Sequence, residues 1–143
     1  MQSRSVVMGR RIEDVRAWQV AHAFTQAVCR LLKGSAVAAA DMRFSVGLFR
    51  AARAAEAAVA EGIRQGADQA SARALGEAGH QLAAALVAIE DGIDRGYFSK
   101  PSSQPALDLG REAARMSRSL ATYLERCGHS RRRGRARLAR DAL

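Results

Sequence analysis

Between residues 68 and 93 the apolar and small residues Ala72, Leu75, Gly79, Leu82, Leu86, Ile89 and Ile93 recur at intervals of three, four, three, four, three and four. At 3.6 residues per turn all seven fall on one stripe, the seam of helices packed side by side. A strand would need an apolar residue at every second position, which this segment does not supply. The pattern predicts a long amphipathic helix over Asp68–Ile93, capped by Asp68 and closed by Gly96, with Tyr97 and Phe98 packing back against it.

The same reading extends along the chain. A first helix is expected over Glu13–Lys33, with Ala17, Ala21, Phe24, Val28 and Leu31 on its seam and Trp18 and Leu32 alongside. Glu13 and Asp14 suit its positive N-terminal end, and Gly34 and Ser35 stop it. Asp41 is the expected N-cap of a second helix that reaches Arg64, before Gly66 breaks the pattern. Ser99–Gln104 reads as a loop and Pro105 as the first turn of a fourth helix. That helix has Leu109, Ala113, Met116, Leu120, Tyr123 and Cys127 on its seam and Gly128 as its stop,. The expected fold class is all-α, an antiparallel up-and-down four-helix bundle over residues 12–128. A flexible basic arm (1–11) precedes it and an Arg-rich disordered tail (129–143) follows.

The second helix breaks the simple pattern. Ala51, Ala52, Ala54, Ala55, Ala57, Ala58 and Ala60 make it weakly apolar nearly all round, with Phe44, Leu48, Phe49 and Val59 adding bulk. A helix apolar on more than one face is normally covered on more than one, most simply here by a neighbouring subunit. The alternative is that alanine only raises helix propensity on a solvated face.

With 143 residues, two prolines and few aromatics, the composition favours one helical domain over a sandwich or barrel,. No run of about 18 apolar residues is present, so no membrane span is expected. Met1–Arg11 lacks the apolar run of a signal peptide, so the expected location is cytoplasmic. There Cys29 and Cys127 stay reduced, and a disulfide requires that their helix positions meet. The net charge is +9. From residue 129 onward Arg131, Arg132, Arg133, Arg135, Arg137 and Arg140 against Asp141 contribute +5 of it. Such an excess makes a polyanion the first partner to consider. Arginines that merely keep an alanine-rich bundle soluble explain it equally well.

Little of the sequence suggests reaction chemistry. Glu77 and His80 have the Glu-x-x-His spacing of di-metal helix bundles, but the motif occurs once and falls outside the seam,. His22 and Cys29 also lie off the seam, giving a mixed thiolate–imidazole site little support. No phosphate-binding Gly-rich loop, nucleophile elbow or His-Glu-x-x-His is present. The expectation is a non-enzymatic protein with no catalytic residues, metal or cofactor.

The basic positions say more. Arg111, Arg115 and Arg118 follow a four-three spacing away from the fourth helix's seam, with Arg126 close to the same side. Arg43, Arg50 and Arg64 lie seven and fourteen residues apart on the second helix, with Arg53 beside them. The planar guanidinium fork suits phosphate, and these stripes lack stacking aromatics, so recognition of backbone and shape is expected. Arg50, Arg53, Arg111, Arg115, Arg118, Arg131, Arg132 and Arg133 are the expected nucleic-acid contacts. The competing reading is an ordinary solvated face offset by Glu112 and Glu125. Membrane-surface binding is disfavoured, because Leu138 and Leu143 give the tail almost no apolar face.

Three motifs in order resemble one family. Ile12-Glu13-Asp14-Val15-Arg16-Ala17-Trp18-Gln19 with Ala21, Leu48-Phe49-Arg50-Ala51-Ala52 running on to Ala58-Val59-Ala60-Glu61-Gly62, and Gly96-Tyr97 resemble the bacterial four-helix-bundle proteins encoded in 23S rRNA intervening sequences. The resemblance spans about residues 12–127. The family has Asn where this chain has Ala58, and a second arginine where it has Phe49. The accessory protein of diversity-generating retroelements belongs to the same family, as a pentameric ring that binds nucleic acid and a reverse transcriptase. The resemblance therefore implies a homo-oligomer, pentameric by analogy, with structured RNA or DNA as partner. The alternative is an interaction scaffold or accessory subunit docking an acidic protein such as a reverse transcriptase. Nuclease-resistant capture separates the two.

Overall fold

A computed structural model describes residues 15–66 and 69–142, with the side chains of 130 and 131 excepted. Expectations for Glu13, Asp14, Asp68 and the arm 1–11 lie outside the described residues. Those residues are all-helical, with no strand. They form α1 (Arg16–Lys33), α2 (Ala36–Ala40), α3 (Met42–Gln65), α4 (Gln69–Asp94) and α5 (Lys100–Asp141). Among the long helices α1 packs on α3 and α5, and α4 packs on α3 and α5.

The expected boundaries hold where a cap defines them. Gly34 ends α1, its N–H reaching the Arg30 carbonyl at 3.0 Å. Asp41 caps α3 by accepting from the Phe44 N–H at 3.1 Å. At the end of α4, Gly96 (φ +78°) donates to Ile93 at 3.0 Å and Tyr97 donates to Gly92 at 2.8 Å. This paired closure satisfies the last carbonyls and needs a left-handed residue that glycine supplies without strain. It turns Phe98 into the core, where it is 6% exposed.

Three expectations are corrected. The segment 35–40, read as a link, contains the short helix α2, because Ser35 accepts from the Ala38 N–H at 3.2 Å and alanines follow,. The fourth long helix starts at Lys100 instead of Pro105, because Ser99 accepts from the Ser102 N–H at 3.2 Å and caps it one turn earlier. Nor does that helix stop at Gly128. It continues to Asp141 through the segment expected to be disordered, since Gly128 is buried within the helix and the strong helix formers Arg, Ala and Leu follow,.

Two seams also differ by one residue. The buried positions of α4 are Ser71, Leu75, Ala78, Leu82, Ala85, Ile89 and Gly92. Leu75, Leu82 and Ile89 are as expected, but the partners innermost are Ser71, Ala78, Ala85 and Gly92; Ala72, Gly79, Leu86 and Ile93 flank them, half-buried. In α5 the buried set is Ser103, Ala106, Leu107, Gly110, Ala113, Ser117, Leu124 and Gly128, whereas Tyr123 is 45% exposed. Small residues occupy the closest contacts and bulky ones surround them. At Gly62 an added Cβ would lie 2.6 Å from Leu75 Cγ, and at Gly110 one would lie 2.7 Å from Leu86 Cδ2. Proximity also lets the Ser71 hydroxyl donate to the Gly62 carbonyl at 2.6 Å.

Gly62→Ala is expected to destabilise the protein by about 1–3 kcal/mol through overpacking, although alanine is the better helix former by about 1 kcal/mol. Urea unfolding checks this, and a more stable variant would refute the tight α3–α4 contact. Asp41 supplies a pH test. Its carboxyl is held below the ordinary value of 3.8, first by the Tyr97 hydroxyl (2.7 Å) and then by the Phe44 N–H, with Arg95 adding its charge. A depressed native pKa stabilises above the unfolded value and is lost as pH falls through the native one. Asp41→Asn, which keeps a cap, should therefore melt below wild type at neutral pH, and the gap should close in acid below pH 3.8. A gap that ignores pH would show that the charge contributes nothing.

Candidate nucleic-acid interface

The outward face of α5 is built by its own periodicity. With Gly110, Ala113 and Ser117 turned inward, Arg111, Arg115 and Arg118 are exposed. They are not equally free. Arg111 Nη2 reaches across to Glu90 Oε1 on α4 at 3.5 Å. Arg115 grips Glu112 with two bonds, Nε to Oε2 at 3.1 Å and Nη2 to Oε1 at 2.6 Å. That grip holds the Glu112 carboxyl below its usual range, with the Arg115 hydrogen bond the largest cause, and raises the Arg115 guanidinium in turn. Arg118 has no carboxylate partner among the described residues.

Beyond Arg118 the positive face continues on the same rod. Thr122, Arg126, His129 and Arg133 follow at four, three and four residues and, with Glu125, line a shallow groove. Arg132, Arg133, Arg135, Arg137 and Arg140 are all exposed. Arg131 is part of the helical backbone, but its side chain is not among those described. The four-three-four run through the groove is legible in the sequence only if the helix continues past Gly128, as it does here.

Arg50 and Arg53 belong elsewhere. Both are exposed on α3, which packs on α1 and α4 and not substantially on α5. With α1 and α4 between them, the outward faces of α3 and α5 form two basic surfaces, not one. Arg53 is also occupied: its Nη1 donates to Glu56 Oε2 at 2.9 Å. Glu56 is 8% exposed, and its other oxygen accepts from His22 Nδ1 on α1 at 2.7 Å. Because a carboxylate only accepts, Nδ1 carries the proton and Nε2 faces away from the tie. Trp18 stacks on the imidazole with centroids 4.8 Å apart and planes 8° off parallel.

This Trp18–His22–Glu56–Arg53 set ties α1 to α3 and was not anticipated. The signal for it was a lone carboxylate inside the alanine run of α3. Among the described residues no cluster of three His, Cys, Asp or Glu could hold a metal ion, and Glu77 and His80 are both exposed. Cys29 and Cys127 are half-buried free thiols. No described helix is long and apolar enough to cross a membrane.

His22→Ala should cost about 1–3 kcal/mol, because it strips a partner from a buried carboxylate. Arg53→Ala should cost less, about 1 kcal/mol, since Arg53 is more than half exposed and pairs only with a residue three positions along its own helix,. Denaturant midpoints of the two variants test the order, and equal losses would mean that Glu56 is not held from α1.

Comparison with protein-family models, curated proteins and solved structures finds no match to this chain.

Proposed function

We propose that this protein is a non-enzymatic, homo-oligomeric four-helix bundle that binds structured RNA or DNA through arginines, and that it belongs with the proteins encoded in 23S rRNA intervening sequences, pentameric by that analogy. The four long helices would run up and down antiparallel, with α2 a turn between α1 and α3. Support for binding comes chiefly from one observation: past Gly128, α5 carries the exposed arginines Arg132, Arg133, Arg135, Arg137 and Arg140 over a broad arc, and the one acidic side chain described there is Asp141. Arg133 and Arg137, four apart, repel each other on an isolated helix. A phosphate backbone relieves that repulsion and releases counterions.

Within this reading the eight expected contacts are unequal. Arg118, Arg132 and Arg133 are free for phosphate, and Arg126 joins them. Arg111 and Arg115 must first leave Glu90 and Glu112. Arg50 lies apart from these on α3, where Arg53 is engaged by Glu56. Support for the family comes from the three motifs already quoted; Phe49, exposed where the family has an arginine, departs from it.

Gel-shift titration on a duplex RNA and a duplex DNA tests the reading. Affinity should fall about 10³-fold or more between 50 and 200 mM salt if six or more phosphates are neutralised. Removal of residues 129–143 should flatten that slope, and Arg118→Ala should weaken binding more than Arg111→Ala. Affinity insensitive to both salt and truncation would overturn it.

A further inference from the structure

Charge is divided unevenly among the helices. α4 holds Glu77, Glu90, Asp91 and Asp94 against the single cation Arg73, net −3 in a chain of net +9. On its outward face Ala83, Ala84 and Val87 are exposed between His80 and Glu90, with Val87 69% exposed. This face is apolar at its centre and acidic toward its C-terminal end.

The opposite combination lies where α1, α2 and α3 meet. Val37, Met42 and Phe49 stand 64%, 66% and 38% exposed there. Between the helices runs a groove of about 320 Å³ lined by Leu32, Lys33, Ala39, Ser45, Val46 and Phe49. Lys33 lines it, Arg43 and Arg50 are exposed on α3 close in sequence to its lining residues Ser45 and Phe49, and α1 contains no carboxylate over Arg16–Lys33. Asp41, the nearby acid, is engaged by Tyr97 and Arg95. Exposed apolar side chains rimmed by charge mark an interaction surface. A nucleic acid would satisfy the arginines and leave Val37, Met42 and Phe49 in water. The occupant that fits is apolar in the middle and negative at the edge.

We propose that this groove receives the outward face of α4 from a second copy of the chain, Val87 and its alanines covering Phe49 and Val46 while the carboxylates face Lys33, Arg43 and Arg50. The contact joins unlike faces, so copies assemble head to tail and either close into a ring or extend. Glu90 can leave Arg111 and Asp91 can leave Arg95, since those pairs, 3.5 Å and 3.0 Å long, are exposed on both sides, and such pairs are worth little,. The inference rests on the homo-oligomer reading and specifies which faces meet.

Complementary variants decide it. Phe49→Glu removes the groove and leaves α4 intact; Val87→Arg does the reverse. Each alone should keep its helicity by circular dichroism and self-associate about thirtyfold more weakly or worse, because an unpaired charge is buried at the contact. Mixed one to one they should form a dimer and stop there in analytical ultracentrifugation, since each supplies one working face. Should Phe49→Glu fail to fold, Arg43→Glu on an exposed side chain takes its place. Retention of the wild-type mass by either variant alone, or a mixture that stays monomeric, overturns the proposal and leaves self-association by other faces. A monomeric wild type overturns both this and the oligomer reading, while gel-shift binding stands or falls separately.

Discussion

Close approach of helices through small side chains is the constraint on which the rest of the structure depends. Each long helix turns alanine, serine or glycine toward its neighbours: Ala17, Ala21 and Ala27 in α1, Ala52, Ala55 and Gly62 in α3, Ser71, Ala78 and Ala85 in α4, Ser103, Gly110, Ala113 and Ser117 in α5. An alanine buries little area, so it stabilises mainly by letting backbones approach until many weak dispersion contacts form at once. Phe24, Leu48, Leu82, Ile89, Leu107 and Leu124 then fill the layers between. At such distances side-chain hydroxyls reach backbone carbonyls of the neighbouring helix, as Thr25 reaches Ala52 at 3.4 Å. No described buried side-chain polar atom lacks a partner.

That constraint explains what the sequence revealed and what it concealed. Helix type and most ends were legible, because spacing of three and four, Gly34, Asp41 and Gly96 act locally. The seam of α1 is legible in the sequence, since Ala17, Ala21, Phe24, Val28 and Leu31 are all buried. The seams of α4 and α5 differ from the expected ones because apolar bulk alone does not mark the interior of these two helices. There the bulky Leu86 and Leu109 flank positions whose merit is to be small. Gly128 occupies a buried position within the helix, and no reversal of the backbone follows it.

The basic surface was legible in outline. Exposure of Arg111, Arg115 and Arg118 follows from periodicity alone, and the Glu112–Arg115 and Arg53–Glu56 pairs are three residues apart in sequence. Reach across helices is not readable that way, as Arg111 to Glu90 and His22 to Glu56 show. Nor could the pattern reveal that α3 and α5 do not face a common surface. The motifs carrying the family resemblance divide in the same manner. Leu48, Ala52, Val59 and Gly62 are buried and Gly96 closes a helix, so these residues speak for packing, and packing is shared by many functions,. Phe49 and Arg50, exposed in the same run, are where a difference in partner could be written.

Segregated charge links the two proposed interactions. An isolated copy presents the −3 of α4 beside the stripe of α5, and Glu90 draws Arg111 away from any phosphate. If copies meet through α4, those carboxylates become buried against Lys33, Arg43 and Arg50 of the next copy, and the surface left to solvent is more uniformly positive. Arg111 is then released toward the polyanion as Glu90 turns to its new partners. Oligomerisation and nucleic-acid binding would favour one another, and by linkage a polyanion would tighten the contact between copies by the same factor. The coupling needs no change in helix packing, only an exchange of exposed ion pairs whose individual strength is small.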